Sequence, residues 1–161
     1  MLDCTFNRAG HSLELAKKIG KGGTLIGFDL DHVALEEGKK VLEKELGKNI
    51  PHAIVCETNF RHVVDVLKEK KIQHVDVLLA DLGLSSQELD ISGRGFTFQK
   101  EEPLQMTLSS RPEALITAYT VVNEWSQETL VDILKGFSDE SFAGRIARNI
   151  VPIERGGRFA A

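Results

Sequence analysis

The chain has 161 residues, of which 42% are hydrophobic and 27% are charged, and its net charge is −4 at pH 7. This composition is ordinary for one globular domain with its own core, and no apolar run approaches the length that spans a membrane. The acidic balance counts against a free-standing RNA-binding module, although an enzyme whose substrate is positioned by other surfaces remains possible. Cys4 and Cys56 lack metal-ligand spacing, so we expect reduced thiols in a cytoplasmic protein without metal or membrane attachment.

Residues 3–12 ("DCTFNRAGHS") have the outline of a strand, a tight turn and a helix, a form that often holds a nucleotide. The segment contains one glycine, Gly10, and lacks the G-x-G-x-x-G pattern, so a nicotinamide oxidoreductase has little support. A loop that binds no pyrophosphate needs fewer glycines, and a loop for S-adenosylmethionine (SAM) fits that description.

Three apolar runs follow, at residues 24–29 ("TLIGFD"), 52–57 ("HAIVCE") and 75–81 ("VDVLLAD"). Their apolar residues are continuous rather than alternating, which is typical of strands buried on both faces of a parallel sheet. We therefore expect four strand residues to be buried: Ile26, Val55, Val77 and Leu79. Helical stripes separate the runs, with Lys17, Glu36 and Lys39 expected on the exposed faces. The alternation predicts an α/β, Rossmann-like, doubly wound and mostly parallel sheet, whose ligand site lies at the carboxyl ends of its strands.

Polar residues stand at or just after each predicted strand end: Asp3, Asp29, Asn59 with Phe60, and Asp81. Such residues commonly hydrogen-bond turns, but four around one crevice favour a site. Asp29 lies 19 residues after Gly10, where a carboxylate can accept hydrogen bonds from ribose hydroxyls. His11 opens the first helix and suits a solvent-facing position as well as a cofactor contact. Asp31 suits the same ribose contact as Asp29, but the position favours a cap of the second helix.

The pattern changes after Asp81, where a long polar loop begins, and it is helical from about residue 111. Ser126 and Ser138 are predicted N-caps, and Gly136 is the predicted end of a short helix. A further helix is expected to bury a stripe of Phe142, Ile146 and Ile150. We predict a core domain over residues 1–110, a helical appendage over 111–151, and the start of a further core strand over 152–161.

Several segments, quoted in chain order, resemble one known family: "DCTFNRAGHS", "GFDLD", "NF", "LLADLGLSSQELD", "RGFTFQKEEPLQM" and "VVNEWSQETLVDIL...GRIARNIV". They are similar to the bacterial small-subunit (16S) ribosomal RNA cytosine-N4 methyltransferases over nearly the whole chain. The resemblance implies a class I SAM-dependent methyltransferase fold with a helical domain inserted after the fourth strand. It also implies methylation of the exocyclic amine of a cytosine in ribosomal RNA of the small ribosomal subunit.

Carried over by position, the family's cofactor contacts are Ala9, Gly10, His11, Asp29, Phe60, Asp81 and Glu88. Asp81 is also the candidate catalytic residue, because a carboxylate can accept the protons of the amine. The resemblance gives Asp81 a cofactor role as well, and the sequence does not separate the two roles.

The chain departs from the family at several positions. The family has glycine at the positions of Asn7 and Ala9, and we expect the Ala9 methyl to stand where the cofactor approaches. The family has glutamine in place of Glu88, and an acid and an arginine in place of Gln105 and Thr107. These differences support an alternative, a non-catalytic module that binds SAM or ribosomal RNA weakly. The chain begins inside the first strand and lacks the family's last strands, so we expect either a fragment or a degraded gene product, which does not methylate small subunits alone.

Overall fold

The structure, a computed structural model, describes residues 1–109 and 116–156, excepting the side chains of residues 87 and 152–156. Four strands are present: β1 (Leu2–Asp3), β2 (Thr24–Asp29), β3 (His52–Glu57) and β4 (Leu78–Leu79). The α-helices are α1 (Gly10–Ile19), α2 (His32–Leu46), α3 (Val63–Glu69), α4 (Ser86–Asp90), α5 (Ala118–Glu124), α6 (Gln127–Ser138) and α7 (Ala143–Gly156). Short 3-10 helices cover Gly47–Asn49 and Phe60–His62.

The four strands form one parallel sheet in the order β3-β2-β1-β4. Leu2 of β1 lies opposite Ile26 of β2 on one side and Leu78 of β4 on the other. The chain therefore moves outward from β1 to β3 and then returns to the far side of β1. This reversal confirms the doubly wound topology and places its switch point between the carboxyl ends of β1 and β4.

Helices cover both faces of the sheet, as the continuous apolar runs predict. On one face α1 and α2 enclose a buried cluster of Phe6, Ala9, Ala16, Leu25, Leu35, Leu42 and Leu46. On the other face α3 packs over a second cluster of Leu2, Cys4, Ile26 and Phe28. Complete burial of a leucine or phenylalanine side chain stabilises the fold by about 1.5–3 kcal/mol, so these clusters hold β1 and β2 firmly.

Burial decreases toward the edges of the sheet, and of the four strand residues expected to be buried only Ile26 is fully buried. Ile26 is buried and Val55 and Leu79 are half-buried, but Val77 is 44% exposed and its neighbour Leu78 is 64% exposed. The cause is position, because β4 pairs with β1 alone within the described residues. Lys17 is exposed as expected.

The expected exposure of Glu36 and Lys39 is only partly right. Both residues are half-buried on α2, where the Lys39 ammonium donates to the Glu36 carboxylate at 2.7 Å. The two side chains lie one helical turn apart and contact each other, so each covers part of the other's surface.

The described residues divide into two compact units. The first comprises Met1–Gly83 with Leu108 and Ser109, and the second comprises Leu84–Thr107 with residues 116–156. The predicted core domain of residues 1–110 thus loses its long polar loop to the helical unit. The loop backbone pairs with the start of α5, since Ala118 N–H donates to Gln105 and Tyr119 N–H donates to Leu104 at 2.9 and 2.7 Å.

Within the helical unit, the predicted cap Ser126 is confirmed, but the predicted helix end at Gly136 and the predicted N-cap Ser138 are wrong. The Ser126 hydroxyl accepts from Thr129 N–H at 3.2 Å and caps α6. The helix then continues through Gly136 to Ser138, whose hydroxyl donates back to the Leu134 carbonyl at 2.6 Å. Asp139 ends α6 in a left-handed conformation, a role that glycine more often fills.

Helix α7 differs from its prediction in face and in length. Over residues 143–151, where burial is described, the buried residues are Ala143 and Ala147, whereas Phe142 just before the helix is 57% exposed. Residues 152–156 continue the helix, so the strand predicted to start at residue 152 is contradicted there. The remaining part of that prediction, residues 157–161, lies outside the described residues, as do residues 110–115 at the predicted domain boundary.

Candidate functional site

The loop from β1 to α1 is built into the core. Phe6 N–H donates to the Phe28 carbonyl at 2.9 Å, and the Phe6 ring is 1% exposed. A Cβ added to Gly27 of β2 would lie 2.3 Å from this ring, and one added to Gly38 of α2 would lie 2.6 Å from it. Both glycines therefore make room for Phe6, which fixes the course of the loop along the sheet edge.

Two residues of this loop have left-handed backbone angles, Asn7 with φ 46° and Ala9 with φ 61°. A glycine at either position would adopt such angles without strain, whereas an alanine in this conformation costs about 1–2 kcal/mol. Ala9 is fully buried and belongs to the core cluster beneath α1 and α2. The expectation that its methyl stands where a cofactor approaches is therefore wrong, because the methyl group is enclosed in the core.

Asp29, at the end of β2, holds this loop in place. Its Oδ2 accepts from Asn7 N–H at 2.7 Å, and its Oδ1 accepts from Leu30 N–H and Asp31 N–H at 2.8 and 3.0 Å. Asp31 caps α2 as predicted, accepting from Val33 N–H at 2.9 Å. Asp29 thus lies at the carboxyl edge as predicted, with a structural role that sequence spacing did not reveal.

The start of α1 is open. Ala9 makes no side-chain cap hydrogen bond, and the first turn contains no acidic residue. Gly10 is exposed, and a Cβ added there would meet nothing within 4 Å. Uncapped N–H groups and the positive end of the helix dipole favour a carboxylate or a phosphate at this position.

His11 and Asp81 meet across the switch point. The His11 Nε2 lies 3.1 Å from Asp81 Oδ2, although the residues are 70 positions apart in the chain. Both side chains are mostly exposed, at 64% and 68%. Two predicted site residues, one at the start of α1 and one in the loop after β4, are thus side by side and open to a ligand.

An aromatic side chain lies beyond the end of β3. Asn59 caps the short helix Phe60–His62, accepting from Arg61 N–H at 2.9 Å. The cap holds Phe60 at the carboxyl edge with 39% of its surface exposed. Glu57, the last residue of β3, is hydrogen-bonded to His32 at the start of α2, since His32 Nδ1 lies 2.8 Å from Glu57 Oε2. A half-exposed ring in this position can stack on a flat heterocycle.

Glu88 lies in the helical unit, on α4. Its carboxylate accepts from Ser85 N–H at 2.6 Å, and its own N–H donates to the Ser85 hydroxyl at 3.3 Å. This reciprocal pair is a capping box, and the spacing of Ser85 and Glu88 in the sequence could have revealed it. Its cofactor contact stays a prediction.

Three polar residues, Asp3, Thr5 and Ser12, form a hydrogen-bonded group next to the candidate site. The sequence pattern pointed to Asp3 but not to the other two. Asp3 is fully buried and accepts from Ser12 Oγ at 2.6 Å and from Thr5 N–H at 3.0 Å. An aspartate that bonds the N–H two residues later is a familiar turn signal, and it was present in the sequence. Burial, with a smaller contribution from the Asp3 charge, raises the pKa of the adjacent Cys4 thiol.

Neither a metal site nor a membrane span is found in the part of the chain that the structure describes. No group of three or more His, Cys, Asp or Glu side chains there could hold a metal ion. None of the described helices is long and apolar enough to cross a membrane.

Comparison with known proteins identifies the family. The model of the MraW methylase family matches residues 1–159. A protein named ribosomal RNA small subunit methyltransferase H from Brevibacillus brevis (strain 47 / JCM 6285 / NBRC 100599) is 37% identical over 150 residues, covering 93% of this chain and 46% of that protein. A protein of the same name from Clostridium botulinum (strain Kyoto / Type A2) is 39% identical over 164 residues, covering 98% of this chain and 51% of that protein. The chain therefore spans about half the length of these relatives. Because the family model matches residues 1–159 of 161, the chain belongs to the MraW methylase family.

Proposed function

We propose that this chain binds SAM at the carboxyl edge of its sheet and serves methyl transfer to the N4 amine of a cytosine in small-subunit ribosomal RNA. The observation that carries the proposal is the contact of His11 with Asp81 at 3.1 Å, which joins the start of α1 to the loop after β4 at the switch point. Membership in a methylase family and the names of the relatives support the reaction and the substrate.

The residues at this edge fit the parts of SAM. The open first turn of α1, at Gly10 and His11, suits the carboxylate of the amino-acid part. Asp29 suits the ribose hydroxyls, and Phe60 suits the adenine ring. When bound, SAM supplies a methyl group attached to a positively charged sulfur.

Two other predicted contacts acquire narrower roles. Ala9 is fully buried as a whole residue, backbone included, so a direct contact with SAM would require the loop to move. Glu88 already accepts a hydrogen bond from the backbone of Ser85, and a contact to SAM would share its carboxylate with that cap. We retain both as proposed contacts.

Asp81 is the proposed catalytic residue. The lone pair of the cytosine amine is delocalised into the ring, so the amine is a poor nucleophile until its N–H groups are held out of conjugation. The exposed Asp81 carboxylate can accept a hydrogen bond from one of these N–H groups. The backbone carbonyls of Leu82 and Gly83, next in the chain, are further acceptors. The chain's task is therefore positioning, together with hydrogen bonds at the reacting amine.

Calorimetric titration tests the cofactor. We expect SAM and S-adenosylhomocysteine to bind and NAD to bind weakly or not at all. Binding of NAD in preference to both sulfur compounds would contradict the proposal and support an oxidoreductase. Binding of neither class would remove the cofactor role from this chain.

A tritiated-methyl assay on small ribosomal subunits that lack the modification tests the transfer. The sequence predicts no detectable incorporation by this chain alone, and SAM binding without incorporation would also agree with the non-catalytic alternative. Incorporation above background would contradict that expectation, and it should then fall by about 100-fold in Asp81→Ala, the scale expected for a lost transition-state hydrogen bond. Asp76→Ala is the matched control, because this aspartate is also exposed and precedes β4.

A further inference from the structure

One buried carboxylate reaches both sides of the switch point. Asp3 is 0% exposed at the end of β1. Its Oδ2 accepts from the Ser12 hydroxyl at 2.6 Å, within the first turn of α1. Its Oδ1 accepts from Thr5 N–H at 3.0 Å and lies 3.4 Å from the Thr5 hydroxyl.

The Thr5 hydroxyl passes this order on to the loop after β4. A carboxylate accepts but does not donate, so the Thr5 O–H proton is directed toward Asp3 and its lone pairs are left for another donor. That donor is Asp81 N–H, at 2.9 Å. The Asp81 carboxylate in turn meets His11, the neighbour of Ser12. Asp3 thus holds Thr5 on one side and α1 on the other, and the two branches meet at the His11–Asp81 contact.

We propose that Thr5, oriented by Asp3, is a positioning residue that fixes the backbone of Asp81 and sets its carboxylate against His11. β4 contains two residues, and Leu82 beyond Asp81 is 69% exposed, so few contacts restrain this loop. The Thr5 bond restrains it at the residue that carries the proposed chemistry. The consequence for SAM binding rests on the proposed function; the positioning itself does not.

Paired substitutions at Thr5 separate the hydroxyl from the shape of the side chain. Thr5→Val keeps the branched shape and removes the acceptor, whereas Thr5→Ser keeps the hydroxyl. By NMR, exchange of the Asp81 amide should accelerate about tenfold in Thr5→Val and remain slow in Thr5→Ser. The His11 ring resonances should shift in Thr5→Val and in Asp81→Asn, but not in Thr5→Ser. Unchanged exchange and unchanged ring resonances in Thr5→Val would overturn the proposal.

A double-mutant cycle measures the consequence for binding. We expect Thr5→Val to weaken S-adenosylhomocysteine binding about tenfold, and to have no further effect once Asp81 is alanine. Equal losses in both backgrounds would show that Thr5 acts on the fold and not through Asp81, which would overturn the proposal. If the unaltered chain binds no S-adenosylhomocysteine, the proposed function fails, and the exchange and resonance measurements still decide the positioning role. Thr5→Ala replaces Thr5→Val if the valine variant does not fold.

Discussion

Two loops meet at the switch point of the sheet, and they are built in opposite ways. The loop after β1 is anchored in the core by Phe6 and Ala9, which are 1% and 0% exposed, and by the bond from Asn7 to Asp29. The loop after β4 is exposed at Asp81, Leu82 and Gly83, and it is held by the bond from Asp81 N–H to Thr5 and by the contact of Asp81 with His11.

This difference divides stability from chemistry. A change at the core-packed residues of the first loop, Phe6 and Ala9, must disturb the core, so its main cost should appear in the free energy of unfolding. A change in the second loop leaves the core intact, so its main cost should appear in binding or transfer. Substitutions that test this division are given below in order of expected effect.

The largest effect should come from Gly27→Ala. The added methyl would lie 2.3 Å from Phe6 Cδ2, which forces the ring and its loop to move. We expect the free energy of unfolding in denaturant to fall by about 3 kcal/mol, the upper range for overpacking. Adding Phe6→Leu should recover part of this loss by making room for the methyl.

Gly136→Ala is the control for this prediction. Gly136 lies inside α6 with nothing within 4 Å of an added Cβ. Alanine should therefore stabilise the chain slightly, by up to about 1 kcal/mol, because glycine is a poor helix former. Equal behaviour of the two variants would show that Phe6 does not fix the first loop.

Much of this arrangement could be predicted from the sequence, and the failures share a cause. The apolar runs placed β2 and β3, and helical spacing placed α2, because both patterns report on near neighbours in the chain. The burial of Val77 was mispredicted because it depends on which strands flank β4.

The candidate site shows the same limit. Asp29 and Asp81 were placed correctly at the carboxyl edge, since strand ends are visible in the sequence. The direction of the Ala9 methyl and the reach of Thr5 to Asp81 were not visible, because they follow from backbone angles and from a contact between residues 76 positions apart.

Asp29→Ala should have the next largest effect, and it should cost both stability and binding. Three backbone N–H groups would lose their acceptor, with a loss of about 1–3 kcal/mol in the free energy of unfolding. Affinity for S-adenosylhomocysteine should fall by a similar free energy, measured by calorimetry. A 2′-deoxy analogue isolates the ribose contact, since its deficit in the unaltered chain should vanish in the variant. Equal discrimination against the analogue in both proteins would exclude the ribose role.

Ala9→Gly should have a smaller effect on stability. Glycine relieves the left-handed strain of about 1–2 kcal/mol, but it removes a buried methyl worth about 0.8 kcal/mol and makes the unfolded chain more flexible. We expect the unfolding free energy to change by less than about 1 kcal/mol, with no gain in SAM affinity. Lys71→Gly is the control, because Lys71 has φ 57° and is exposed. This control should be more stabilising than Ala9→Gly, and the opposite order would argue that the Ala9 methyl adds nothing to the core.

The smallest effect should be a loss of stability at alkaline pH that arises from ionisation of Cys4 in the first loop. Burial and the Asp3 charge raise the pKa of Cys4 above its value in the unfolded chain. A raised pKa leaves stability unchanged below the unfolded value, near 8.5, and lowers stability as the pH rises from there through the folded pKa. The decrease in unfolding free energy between neutral pH and about pH 10 should therefore be smaller in Cys4→Ala than in the unaltered chain. Lysine and tyrosine titrations are common to both proteins, so they cancel in this difference.

Asp3→Asn offers a second measurement, because removing the charge should lower the pKa of Cys4 in an NMR titration. The pKa of Cys56 should stay unchanged, because it is raised by burial and by Glu69 against the opposing charge of Lys70. If Cys4→Ala loses as much stability at alkaline pH as the unaltered chain, this thiol is not held in the core, and the contrast between the two loops is weaker than the burial of Cys4 implies.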